Sequence, residues 1–176
     1  MCFVFQRSKT AELLLKESDG TMANINTDED YDLWVLLAQA RDALYRARQK
    51  ELTKYNISPR QSAVLFIIQA IGDNATAAAI AKYLFRETHT TYELLLRMEK
   101  EKLIKGIKNR NKTKRVSYKL TPKGLKVYKH SLKRESIHEI ISSLTGEDRA
   151  QLRSYLKKLR DTALRLLATK ELPFPP

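Results

Sequence analysis

Cysteine is nearly missing from this chain. Of 176 residues only Cys2 carries a thiol, which excludes an internal disulfide and a zinc site built from cysteines alone. A lone thiol suits a reducing compartment, and a cytoplasmic protein is expected. Glycine and proline are scarce, 5 of each, so long regular elements, mostly helix, are expected. The apolar runs span a few residues, far short of the roughly 20 that cross a bilayer. The opening Met1 to Phe5 is too short for the core of a signal peptide. No membrane role is expected. Also lacking are a glycine-rich phosphate loop, a nucleophile elbow and a His-Glu-x-x-His pair. The histidines are His89, His130 and His138. The last two stand about two helical turns apart, too far for the usual i, i+4 metal pair. Glu135, His138 and Glu139 read as a solvated helix face. The expectation is no catalytic residue, no metal ligand and no cofactor.

Acid is in deficit as well. Against 20 Asp and Glu stand 33 Lys and Arg, giving a net charge of +13 and a partner that is polyanionic. Hydrophobic residues make up 43%, enough for a real core, so wholesale disorder is excluded.

Residues 1–26 read as an arm. Ala11 to Glu17 suits a turn or two of helix, and Met22 leaves open whether translation starts there or the arm is native. Thr27-Asp28-Glu29-Asp30 resembles a capping box with acid in the first turn. Leu33, Trp34, Leu37 and Leu44 follow at helical spacing, so a helix is expected to about Lys54, broken at Asn56. Ser58-Pro59-Arg60-Gln61 starts the next helix with Ser as cap, Pro first and Gln three after the cap. Its apolar face runs from Val64 to Ile71, and Gly72-Asp73-Asn74 stops it. An Ala-rich helix over 76–85 precedes a short connection, after which Thr88 is expected to cap a helix ending near Lys102. In that helix Leu94, Leu95 and Met98 form the inward stripe, with Thr88, His89, Thr90, Thr91 and Arg97 elsewhere.

Residues 103–108 and 116–120 read as two strands; Val116, Tyr118 and Leu120 alternate with Ser117 and Lys119. Thr121-Pro122 restarts helix, and one helix is expected to run from there through Leu125, Tyr128, Leu132, Ile137, Ile140 and Ile141 to Leu144. Thr145-Gly146-Glu147-Asp148 begins a last amphipathic helix, and Pro173-Phe174-Pro175-Pro176 ends the chain in a non-helical tail.

Two stretches carry chemistry. Lys105, Lys108, Arg110, Lys112, Lys114 and Arg115 crowd one hairpin without an Asp or Glu among them. One such lysine is an ordinary solvated residue. Six beside a helix pair point to phosphate or minor-groove contact, each neutralised phosphate steepening the salt dependence by about one unit of log K per log salt. Arginine suits a narrow minor groove better than lysine because its guanidinium is more weakly hydrated. The second stretch is His89, Thr90, Thr91 and Tyr92, short or planar donors at the end of a helix that fits a major groove. The candidate reading residues are Thr88, His89, Thr90, Thr91 and Arg97. The candidate wing residues are Lys108, Arg110, Asn111, Lys112, Lys114 and Arg115. Ser58, Arg60, Gln61 and Thr76, at two helix starts, are candidates for the DNA backbone.

From about Asp30 to Leu167 the chain resembles the MarR family of winged-helix transcription regulators. The resemblance rests on I-S-P-R-Q-S-A-V-L at 57–65, I-A-K-Y-L at 80–84, L-L-R-M-E-K-E-K-L-I at 95–104 and K-R-V-S-Y-K-L-T-P-K-G at 114–124. It implies an obligate homodimer with the first and last two helices interleaved, and a small effector held between that base and the reading lobe. Tyr31, Trp34, Arg41, Tyr45 and Tyr128 are the candidate effector-pocket residues, although aromatics at these spacings also suit plain core. The chain departs from the family pattern in having Lys102 where a glycine is common. It also lacks the usual wing aspartate before Lys114 and Arg115.

The expected fold is mainly α with a small β-hairpin, a winged helix-turn-helix whose N- and C-terminal helices form a dimerisation base. The expected organisation is an arm (1–26), a first dimerisation helix (27–56), a DNA-binding domain (57–122), C-terminal dimerisation helices (123–170) and a tail (171–176). The expected function is a homodimeric regulator, a repressor of a palindromic double-stranded operator released by a small effector. The competing reading is a non-catalytic winged-helix protein that acts through protein partners, such as an antagonist of a related regulator.

Overall fold

Start signals in the sequence set the order of the elements. A computed structural model describes residues 28–108 and 116–167. Cys2 and the hairpin tip therefore lie outside the described residues. Helix α1 spans Glu29–Thr53 and α2 spans Pro59–Ile71, followed by a 3-10 turn over Gly72–Asn74. Next come α3 (Ala77–Leu84), α4 (Thr88–Lys100), β1 (Ile104–Lys108) and β2 (Val116–Leu120). The last three helices are α5 (Pro122–Ser131), α6 (Glu135–Ile141) and α7 (Gly146–Leu166). Among the described residues no helix is long and apolar enough to cross a membrane.

Side-chain caps fix most of these starts. Asp28 accepts from the amides of Asp30 and Tyr31. Ser58 and Gln61 form a reciprocal capping box at α2, and Thr145 and Asp148 form another at α7. Thr76 and Thr121 cap α3 and α5. At α6 the cap position, Arg134, makes no side-chain capping bond, and the second exception is α4. Its cap position is Glu87, which makes no side-chain capping bond, and Thr88 is already helical. The expected Thr88 cap is therefore corrected by one residue: left-handed Phe85 (φ 53°) closes α3 and sets where the next helix begins.

The described part of α1 up to Gln39 is a unit by itself, with Tyr31 stacked on Trp34 at 5.7 Å and both exposed. Residues from Ala40 on form a second unit. Its core gathers on α2, where Val64, Leu65, Ile67 and Ile68 are buried with Leu52, Ile80, Leu95, Met98, Ile104 and Tyr118. Each such side chain contributes roughly 1.5–3 kcal/mol on leaving water. β1 and β2 pair antiparallel from Ile104 opposite Leu120 to Lys108 opposite Val116. On its other edge β2 is met by Ala75 and Thr76, where the Tyr118 amide donates to the Ala75 carbonyl and Thr76 bridges Ser117. That extra pairing buries Ser117, which simple alternation places outside. A Cβ on Gly124 would lie 1.8 Å from the Leu103 carbonyl oxygen, so only glycine lets α5 rest on the loop before β1.

The single helix expected from Pro122 to Leu144 is two helices, α5 and α6, parted at Arg134 in a left-handed conformation (φ 52°). The break is made by α1. Arg48 Nη2 donates to the Ser131 carbonyl at the end of α5. Glu51 accepts from the amides of Glu135 and Ser136 and from the Ser136 hydroxyl at the start of α6. A cation at a helix C-terminus and an anion at an N-terminus both complement the backbone dipoles. Arg48 and Glu51 also pair at 2.6 Å with both side chains buried. Burial raises the Glu51 pKa, but the bonds from Arg48 and Ser136 outweigh it and hold the carboxyl at about 2.

Candidate nucleic-acid interface

Helix α4 is backed by its apolar stripe and presents its N-terminal turn. Leu95 and Met98 are fully buried against the core, while Thr88, His89 and Thr90 are exposed at the opposite end. His89 Nε2 lies 3.4 Å from Glu93 Oε1, one turn on, and both side chains are largely exposed. Tyr92 and Leu96 are exposed on the same helix. The sequence pattern of donors does not single out Glu93, yet a carboxylate at this end suits acceptance from a cytosine amine.

Thr91 does not belong with this tip. It is 2% exposed, and its hydroxyl is buried without a hydrogen-bond partner. Its placement among the outward residues is corrected by the helical period, since positions 91, 95 and 98 fall on one face.

The hairpin follows directly. Lys105 and Lys108 on β1 are exposed, whereas Arg110, Asn111, Lys112, Lys114 and Arg115 lie outside the described residues. The last turn of α4 touches β1: Glu99 Oε1 accepts from the Gly106 amide at 2.7 Å. Burial first, then the nearness of Glu99 and Tyr92, pushes the Tyr118 phenol up. Lys102, between α4 and β1, has a positive φ of 59°.

The candidates for the DNA backbone divide. Thr76 Oγ1 accepts from the Ala79 amide, so its side chain is engaged in the α3 cap. Ser58, Arg60 and Gln61 instead line a cavity of about 840 Å³, open on one side, together with Arg41, Tyr45 and Arg97. Gln61 Nε2 donates to Glu101 Oε2 at 2.7 Å, which ties the start of α2 to the end of α4. Arg60 lies 5.9 Å over the Tyr45 ring. Arg86 and Arg97 add guanidinium groups to the wall, Glu101 is its one carboxylate, and Leu44, Leu94, Ile137 and Ile140 supply apolar surface. Thr90 and Thr91 line it too, so one helix serves both the exposed tip and the cavity.

Of the expected pocket residues, Arg41 and Tyr45 line this cavity. Tyr128 packs on the hydrophobic core instead, and Tyr31 and Trp34 are exposed in the first unit. Sequence spacing gave no sign of Arg86, Leu94 or Ile137, because the cavity gathers residues from five separate helices. Among the described residues no group of three His, Cys, Asp or Glu side chains is placed to hold a metal ion.

The sequence matches no family model and no curated protein. Solved structures are similar. The organohalide-sensing transcriptional regulator RdhR-CbdbA1625, in its 2,4-dichlorophenol-bound form, is 27% identical over 86% of this chain and 90% of its own, with a TM-score of 0.75. MepR of S. aureus, in complex with DNA, is 25% identical over 73% of this chain and 96% of its own, with a TM-score of 0.68. A mutant MarR from E. coli, complexed with operator DNA, is 22% identical over 75% of this chain and 96% of its own, with a TM-score of 0.69, a likeness of fold.

Proposed function

We propose that this chain, a DNA-binding transcription regulator of the MarR family and not an enzyme, works in the cytoplasm as a homodimeric repressor that a small anionic effector releases from a palindromic operator. The observation that carries this reading is the double duty of α4. Its polar first turn is exposed beside a basic strand, while its flank lines the arginine-rich cavity. Thr88, His89 and Thr90 take the major groove, with Lys105 and Lys108 on flanking phosphates. The apolar face of α1 and that of α7 are each a surface on which a second copy docks. Leu33, Trp34 and Leu36 on one and Tyr155, Leu156 and Leu159 on the other are exposed in the single chain. A dimer sets two reading helices roughly 34 Å apart, the spacing of successive major grooves on one face of DNA.

The lining of the cavity supports one class of effector. Arg86 and Arg97 have no carboxylate partner among the described residues, and the one carboxylate of the wall is already bonded to Gln61. A small molecule with an apolar body and one negative group, an aromatic carboxylate or a phenolate, satisfies both surfaces. The RdhR-CbdbA1625 structure holds a chlorinated phenol, a ligand of that class. Bound here, it would press on α4 through Thr91, Leu94 and Arg97 and shift the tip by differential affinity for two dimer states.

Mobility shift with the DNA upstream of its own gene, at several salt concentrations, tests the reading. Tight binding that weakens steeply with salt, and is reversed by benzoate or 2,4-dichlorophenol, is the expected result. Flat, micromolar binding to any sequence overturns it and favours action through a protein partner.

A further inference from the structure

The pairing register of the hairpin leaves one amide in need of a partner. Tyr118 donates its amide to Ala75, away from β1, so Gly106 opposite it belongs to a pair that exchanges no hydrogen bonds. The Gly106 amide therefore faces outward from β1, at an edge that β2 does not cover. Glu99, in the last turn of the reading helix, reaches across and accepts from it at 2.7 Å. Space is reserved for this contact: a Cβ on Gly106 would stand 3.0 Å from Glu99 Oε1 and 2.9 Å from Val116 Cγ1.

We infer that Glu99 is the positioning residue that locks β1, with Lys105 and Lys108, at a fixed angle to the reading helix. The backbone between them is three residues, one of them Lys102 in the left-handed region. The Leu103 amide donates to the Met98 carbonyl, and Thr121 Oγ1 donates to the carbonyls of Lys102 and Leu103, but none of these bonds reaches the body of β1. A carboxylate–amide bond is directional and charge-assisted, so it holds an angle that apolar packing alone leaves loose. Neither Glu99 nor Gly106 needs to touch DNA. Their pairing decides whether helix and strand reach their phosphates together.

This inference rests on the DNA-binding reading above, and the test separates the two. Glu99→Gln keeps an acceptor oxygen and removes the charge, Glu99→Ala removes both, and Gly106→Ala displaces the carboxylate. Amide exchange at Gly106 in the free protein is expected to quicken about tenfold or more in Glu99→Ala and to change little in Glu99→Gln. On DNA, Glu99→Ala and Gly106→Ala are expected to lose about tenfold in affinity and about one unit of salt slope. Glu99→Gln keeps both, and thermal midpoints are read alongside to exclude unfolding. The comparison of Gln with Ala cancels the effect of deleting a negative charge near DNA. Equal exchange and equal slopes for the two variants overturn the inference. Faster exchange without a change in slope reduces Glu99 to a structural contact and overturns its positioning role. A wild-type chain with no salt-dependent binding overturns the DNA reading instead, while Gly106 exchange still responds to Glu99.

Discussion

Helices α4 and α7 make an instructive pair. α4 has 13 residues and buries Thr91, Leu95 and Met98; α7 has 21 and buries only Leu164. Both carry apolar residues at helical spacing, so amphipathic pattern does not separate them. What separates them is closure. The apolar stripe of α4 is covered by its own chain, whereas Leu152, Tyr155, Leu156 and Leu159 of α7 face solvent. On the reading proposed above, a second copy of the chain covers this face.

The sharpest way to break that comparison is to change one residue on each helix. Leu95→Ala should lower stability by about 3 kcal/mol, because it opens a cavity in a site with no exposure. Leu156→Asp should leave the folded lobe intact and convert dimer to monomer in sedimentation. Thermal unfolding and oligomeric mass, measured on both variants, decide the matter. If Leu156→Asp keeps the wild-type mass, α7 is not the dimer surface.

A smaller loss should follow from the buried ion pair. Glu51→Gln leaves Arg48 buried without a charged partner, and a drop on the order of 2 kcal/mol is expected after allowing for solvent screening. The pH dependence has a definite sign. The Glu51 pKa falls from 4.5 in the unfolded chain to about 2 in the fold. Its stabilisation is therefore complete above about pH 4.5 and is lost as the pH falls toward 2. Acid denaturation should show this loss in the wild type and a flatter curve in Glu51→Gln.

The same pair marks the boundary of what could be read from sequence. Caps at Ser58, Thr76, Thr121 and Thr145 depend on residues within three positions, and local rules reach them. These rules reach β2 only in part, because Ser117 is buried by its bridge to Thr76, far off in the sequence. The break at Arg134 depends on Arg48 and Glu51, more than 80 positions away, and no periodicity within residues 122–144 announces it. The cavity was illegible for the same reason. Thr91 is a different case, since its spacing from Leu95 and Met98 is plain in the sequence, and the polar side chain drew it to the wrong face.

That buried hydroxyl yields the next prediction. Thr91→Val keeps the shape and deletes a polar group that has no partner, so the ligand-free protein should gain about 1 kcal/mol. If the hydroxyl meets the effector, binding of the same molecule weakens about tenfold by calorimetry. A loss of stability instead would mean that Thr91 has a partner in solution and that α4 is less self-sufficient than the comparison requires.

The smallest effect belongs at the junction between the two regions that must move together. Lys102 adopts a positive φ of 59° although it is not glycine. An L-residue in that region carries about 1–2 kcal/mol of strain, and glycine escapes it while surrendering about 0.5–1 kcal/mol of chain entropy. Lys102→Gly should therefore gain on the order of 0.5 kcal/mol in chemical denaturation. Arg134, at φ 52°, should gain less from the same change because its guanidinium lies 5.5 Å over the Phe66 ring and that contact would be lost. Strain at Lys102 has a second consequence. Relaxing the link between α4 and β1 throws more of the alignment of β1 onto the Glu99–Gly106 bond, so Glu99→Ala should cost more DNA affinity in the Lys102→Gly background than in the wild type. Additive effects of the two changes would mean that backbone and carboxylate do not share the task of holding the wing to the helix it flanks.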